Sequence, residues 1–247
     1  MEARPASRLI EFESVVAGYS PTLTILNELS LDARKAEITL LIGPNGAGKS
    51  TALKALFGLL APRTGEIRVE GRRVSGMSPR DMIDCGVAFV PQGRNLFPSL
   101  SVLHNLELGG ITLSGKALLR ERIEEILDLF PRIRERLGNQ ASTLSGGEQK
   151  QLEIGRALLL KPRVLLIDEP SIGLSPKISQ EVFQLLRRLA DAGTTVLMVE
   201  QNVRSALKYA DRALVLEMGR LALDRPAGEL LEDPNLSRLF LGGMAAH

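Results

Sequence analysis

Three short runs carry residue types whose chemistry is specific. Gly43, Pro44, Asn45, Gly46, Ala47, Gly48, Lys49, Ser50 and Thr51 contain the spacing G-x-x-x-x-G-K-[ST] of a phosphate-binding loop. A polyphosphate is approached by bare backbone N–H groups, and Gly46 and Gly48 give the tight turn and close approach that a Cβ would block. Lys49 would reach the β- and γ-phosphates, and the Ser50 hydroxyl suits Mg2+. The second run is Val164–Ile167 followed by Asp168 and Glu169: an apolar strand with a carboxylate at its end for Mg2+, then one that can orient or deprotonate a water. The third is Leu144-Ser-Gly-Gly-Glu-Gln149, where the Ser145 hydroxyl, the Gly146 and Gly147 amides and a following helix dipole can make an anion site. The same residues could also form a plain N-cap and turn.

The elements needed to hold these runs are visible in the hydrophobic pattern. Ile38–Ile42 is a continuous apolar run ending in glycine, which predicts a strand buried on both faces, and Lys49–Leu60 then has helical spacing. Leu9–Val16 reads as an edge strand, and Gly65–Glu70 and Gly86–Val90 as short strands. Between Gln92 and Leu160 the character turns helical, with amphipathic repeats over Leu103–Leu108 and Lys116–Phe130; a family resemblance set out below implies a helix over Glu148–Leu160. From Arg163 strands and helices alternate again: strand Val164–Ile167, helix Lys177–Ala190, strand Thr194–Val199, helix Asn202–Tyr209. A hairpin follows over Ala213–Glu217 and Arg220–Leu223. One α/β core interrupted by a helical insertion accounts for this order.

Composition excludes several classes. A formal charge of +2 on 247 residues gives no footprint for nucleic acid or an anionic membrane surface. The single cysteine, Cys85, rules out an internal disulfide framework, fits a reducing compartment, and has no metal-ligand cluster around it. Met1–Arg8 lacks an apolar run, so no secretory signal is expected there, and no stretch approaches the roughly 20 apolar residues of a membrane span. A role at a membrane would need another subunit to cross it.

The order of these motifs resembles the ABC ATPase superfamily over essentially the whole chain. The resemblance implies a RecA-like P-loop NTPase core, here residues 9–92 and 161–247, an N-terminal antiparallel β subdomain and a helical subdomain at 93–160. It also implies roles one position at a time: Tyr19 stacking on adenine, Gln92 contacting Mg2+ and linking core to helical subdomain, Ser145, Gly146 and Gly147 binding the γ-phosphate of a nucleotide held by a second subunit, and Ser171–Leu174 crossing to that subunit. Most of the superfamily has a histidine on the γ-phosphate after the strand here read as Thr194–Val199; this chain has Gln201, and neither His104 nor His247 lies near it in sequence. Gln201 can donate an amide hydrogen bond but cannot carry an imidazolium charge.

Val199-Glu-Gln-Asn202, Pro91-Gln-Gly-Arg-Asn-Leu-Phe97, Glu169-Pro-Ser-Ile-Gly-Leu-Ser-Pro176 and Phe240-Leu-Gly-Gly243 further resemble the second ATPase subunit of branched-chain amino-acid importers and of the similar urea and amide importers. That resemblance implies ATP hydrolysis with Mg2+, a head-to-tail pair with a different ATPase, two transmembrane permease subunits docking near Gly93–Leu100, an extracytoplasmic binding protein, and a place on the cytoplasmic face of the membrane. An exporter ATPase shares the ATP site and is the nearer rival. A soluble ABC protein acting on ribosomes or DNA is less well matched, because there is one cassette and no sustained heptad pattern. A purely structural nucleotide-binding module fits least.

Overall fold

A computed structural model describes residues 8–93 and 95–233. In chain order the elements are β1 (Arg8–Ala17), β2 (Leu26–Arg34), β3 (Ile38–Ile42), α1 (Lys49–Leu56), β4 (Thr64–Val69), β5 (Arg72–Arg73), α2 (Pro79–Asp84), β6 (Val87–Val90), α3 (Val102–Gly109), α4 (Lys116–Leu129), α5 (Pro131–Arg134), α6 (Gly146–Leu158), β7 (Val164–Asp168), α7 (Pro176–Asp191), β8 (Thr195–Val199), α8 (Val203–Leu207), β9 (Arg212–Glu217), β10 (Arg220–Pro226) and α9 (Ala227–Glu232). Phe240–Gly243, Arg94 and His247, used in the sequence reading, lie outside the described residues.

The larger sheet has the order β10-β9-β3-β8-β7-β6, with β9, β3, β8, β7 and β6 parallel and β10 antiparallel at one edge. Residues of β3 alternate between two cores: Ile38, Leu40 and Ile42 join the one that includes α3, α4, α6 and α7, while Leu41 joins the one that includes α1 and the smaller sheet. Because both faces are covered, every residue of β3, β7 and β8 is buried, which is why these strands read as unbroken apolar runs. The parallel strands all end on one rim, and the strand order sets which loops become neighbours there: those after β3, β8, β7 and β6.

The smaller sheet, order β2-β1-β4-β5, is antiparallel. Here β1 is flanked by β2 and β4, so the expectation of an edge strand is corrected. One neighbour is some fifty residues away in sequence and the other, β2, has a broken alternation, so neither could be read from β1 itself. Helix α1 stops at Leu56 instead of Leu60: Phe57 is its C-cap and Gly58 turns the chain at φ +80°. The expected helix Asn202–Tyr209 is shorter, Val203–Leu207, and α6 opens two residues earlier than read, at Gly146.

The two sheets are tied by Arg212 on β9. Its guanidinium is nearly fully buried and donates to the Asp32 carboxylate of β2, at 2.7 and 3.2 Å, and to Asp224 of β10. Burial pushes the Asp32 carboxyl up, but the hydrogen bond and charge of Arg212, helped by Arg8 and Arg34, outweigh it and hold the group below its ordinary value of 3.8. A carboxyl depressed in the folded state contributes stability above its unfolded value and loses it as pH falls through the folded one. We predict that Arg212→Ala lowers unfolding free energy by about 2 kcal/mol at pH 7, since it strands two carboxylates. Urea titrations should show that deficit narrowing as pH falls below 3.8; a deficit that stays constant with pH would contradict the assignment.

Candidate functional site

At the rim of the parallel strands a cleft of about 360 Å³ is bordered by Tyr19, Asn45, Gly46, Gly48, Lys49, Ser50, Thr51, Gln92, Glu169 and Gln201. Gly46 turns at φ +83° and Gly48 at φ +101°, where L side chains are strained, and a Cβ on Gly48 would come 2.8 Å from a Leu26 methyl group. The loop therefore presents bare backbone at the N-terminus of α1, where a helix favours anions. The Lys49 ammonium donates to the carbonyl oxygens of Gly43, at 2.8 Å, and Pro44, at 3.0 Å. Burial lowers its pKa, against the pull of the Glu169 and Asp168 charges. Backbone carbonyls are weak partners for an ammonium compared with phosphate oxygens, so this side chain is positioned to be recruited.

The Ser50 hydroxyl donates to an Asp168 carboxylate oxygen at 3.1 Å, bringing together a hydroxyl and a carboxylate that sequence placed 118 positions apart. Burial raises the Asp168 pKa, and the Glu169 charge adds to it, while the Ser50 hydrogen bond opposes. Oxygen donors of this kind, completed by phosphate and water, suit Mg2+, which rarely takes an all-protein cage.

Glu169 is the most constrained member. Its φ is +50°, a left-handed conformation rare outside glycine, and its N–H donates to the Val199 carbonyl at 2.9 Å. Its two carboxylate oxygens are both held, one by the Gln92 amide and one by the Gln201 amide, each at 2.6 Å. So Gln201, the departure from the histidine pattern, and Gln92, from the far side of β7, meet on one carboxylate. Tyr19, 53% exposed, is anchored through its hydroxyl to Thr51 at 3.4 Å and Lys54 at 3.3 Å, with the Lys54 ammonium 5.4 Å from the ring centroid.

Ser145, Gly146 and Gly147 do not border this cleft. Ser145 is the N-cap of α6 in a capping box: its N–H and hydroxyl donate to Glu148 at 2.8 Å, and its hydroxyl accepts from the Glu148 amide. The turn reading is therefore realised, and its amides still point out of a helix N-terminus. Two residues that the sequence reading missed stand out. Glu153 of α6 pairs with Lys150 at 2.6 Å and accepts the Asn95 amide at 2.8 Å, while Arg156 donates to the Asn95 carbonyl at 2.8 Å; the segment after Gln92 is thus fastened to α6. Glu200 is buried next to Gln201 and, among the described residues, accepts only backbone amides. Its signal was present: an acidic residue directly continues the apolar run of β8, as Asp168 ends β7.

The family described as ABC transporter matches residues 26–172, more than half of the chain. The chain belongs to the ABC transporter family. It is an ATPase of that family, with the P-loop NTPase fold expected from the resemblance. It is 43% identical over 235 residues to the high-affinity branched-chain amino acid transport ATP-binding protein BraG of Pseudomonas aeruginosa, covering 95% of this chain and 100% of BraG. The crystal structure of the ADP conformation of MJ1267, an ATP-binding cassette of an ABC transporter, superposes with a TM-score of 0.86 at 26% identity, covering 96% of this chain and 99% of that one. The dimeric structure of MJ0796, a bacterial ABC transporter cassette, gives 0.79 at 26% identity, covering 89% and 99%.

Within this ATPase the Gln201 amide donates to Glu169, a bond for which an imidazole also carries an N–H donor. We predict that Gln201→His keeps ATP affinity within about 2-fold, keeps or raises turnover, and adds a pH dependence near 6.5, the ordinary imidazole value. Equilibrium nucleotide binding and a pH–rate profile check this; a collapse of affinity would show that Gln201 holds the cleft together by another route.

Proposed function

We propose that this chain powers an ABC importer for branched-chain or other hydrophobic amino acids, hydrolysing ATP on the cytoplasmic face of the membrane. The observation that carries the hydrolytic part is the convergence of Lys49, Ser50, Asp168 and Glu169 on one cleft. The substrate class is supported by the likeness to BraG over nearly the whole of both chains. Urea and short amides are the alternative cargo, from the same subgroup resemblance.

In this reading Tyr19 stacks on the adenine, and the amides of Gly46–Thr51 with the Lys49 ammonium receive the phosphates. Ser50, Asp168 and Gln92 would hold Mg2+, which offsets charge on the phosphate oxygens. Glu169 orients the attacking water and accepts its proton. Each of its oxygens now accepts one amide and keeps a second lone pair for that water. The signature residues Ser145, Gly146 and Gly147 belong to the site of a second ATPase subunit in a head-to-tail pair, which fits their distance from this chain's own cleft and the dimeric cassette MJ0796. A non-identical partner that brings its own histidine suits a chain with Gln201.

No helix among the described residues is long and apolar enough to cross a membrane. We therefore assign transport to two permease subunits, fed by an extracytoplasmic binding protein. Their docking point is the Gly93–Leu100 segment, where Phe97 is 50% exposed beside a cleft of about 240 Å³ bordered by Phe89, Asn95, Leu108, Ile111 and Arg156. Asn95 carries that contact to α6 through Glu153 and Arg156, and Gln92 carries it to Glu169. A push on the helical subdomain, residues 93–160, thereby reaches both the signature end and the catalytic carboxylate.

Glu169→Gln is predicted to bind ATP normally and to lose at least ~100-fold in turnover. Purified with ATP from gently solubilised native membranes, this variant should retain two multispanning subunits and a second ATPase. Wild-type turnover would defeat the role of Glu169. A preparation holding ATP but accompanied by ribosomes, DNA or nothing would leave the ATPase and overturn the importer.

A further inference from the structure

We infer that Glu200 is a positioning residue for ATP hydrolysis, acting as a brace that fixes Glu169 and Gln201 relative to each other; this rests on the reading of Glu169 as the water-orienting carboxylate. Glu200 is only 2% exposed and sits directly beyond the carboxyl end of β8. One of its oxygens accepts the Ser171 N–H at 2.7 Å, and the other accepts the N–H groups of Gln201 and Asn202, each at 3.1 Å. No Lys or Arg side chain pairs with it among the described residues.

A buried carboxylate without a cation is costly, and three amide donors repay that cost only while each stays in place. The Gln201 and Asn202 bonds are local, one and two positions along the chain, whereas the Ser171 bond reaches back 29 positions into the turn after Glu169. Three consecutive residues of one segment therefore hold three parts of the other. Val199 accepts the Glu169 N–H, Glu200 accepts the Ser171 N–H, and Gln201 donates to the Glu169 side chain. Such a three-point attachment keeps the left-handed Glu169 from relaxing and sets the Gln201 amide at its distance. An amide in place of the carboxylate has one acceptor oxygen, so it can serve either Ser171 or the Gln201–Asn202 pair, not both.

The test measures steady-state ATPase kinetics and equilibrium ATP affinity of the full chain, purified with the subunits that accompany it, for wild type, Glu200→Gln, Glu200→Asp and Glu169→Gln. Glu200→Gln is expected to lower kcat at least ~10-fold with KM and ATP affinity within about 2-fold, the pattern of a lost transition-state arrangement. Glu200→Asp keeps the charge, shortens the reach and should move kcat in the same direction. Either Glu200 variant, folded and with kcat within about 2-fold of wild type, overturns the inference. So does a rise in KM at unchanged kcat, which would make Glu200 a support for binding, and so does unfolding of both variants, which would make it a support for the fold. Full turnover by Glu169→Gln would instead remove the reading of Glu169 on which the inference rests.

Discussion

The carboxylate of Glu169 is the point on which the rest of the site depends. It stands one residue beyond a fully buried strand, in a backbone conformation that costs about 1 kcal/mol or more for a residue with a Cβ. It keeps that conformation because its amide bonds Val199 and both its oxygens are engaged. The pairing of β7 with β8, and of β7 with β6, is what brings Gln201 and Gln92 to opposite sides of it. Any sheet order that separated these strands would dissolve the arrangement, so the topology is itself part of the chemistry.

The remainder follows from what one chain can and cannot reach. The phosphate loop, Ser50 and Asp168 are brought together within this chain, whereas the signature turn at the start of α6 faces elsewhere, closed by its own capping box. In the proposed head-to-tail pair, the anion for that helix N-terminus would come from the second subunit. Between the two lies a segment with polar fastenings at both ends: Gln92 on the Glu169 carboxylate, Asn95 on Glu153 and Arg156. The buried Lys150–Glu153 pair keeps that fastening rigid at the α6 end, with both side chains less than a tenth exposed.

Much of this was legible in the sequence where residues obey a simple rule. Strands buried on two faces announce themselves as apolar runs, and β3, β7 and β8 came within a residue of their observed ends. The phosphate loop has a spacing that its chemistry requires. What failed to show has physical causes. In β2 the residue Glu28 adopts φ +54°, so Leu26 and Leu29 fall three apart and the two-residue period that marks a strand is lost. Helix α2 has six residues and a single buried side chain, Met82, too little for a period. Glu200 has no partner that the sequence names. Its role depends on the amide of Ser171, and the turn that presents that amide is a tertiary fact.

The most direct measurement is a high-resolution structure of the wild-type chain in its complex with Mg2+ and a non-hydrolysable ATP analogue. The account predicts that Lys49 leaves the Gly43 and Pro44 carbonyls for phosphate oxygens. It also predicts that a water in line with the γ-phosphate donates to a Glu169 carboxylate oxygen. Phosphates bound in the cleft with Lys49 still on its own loop, and no in-line water on Glu169, would contradict it.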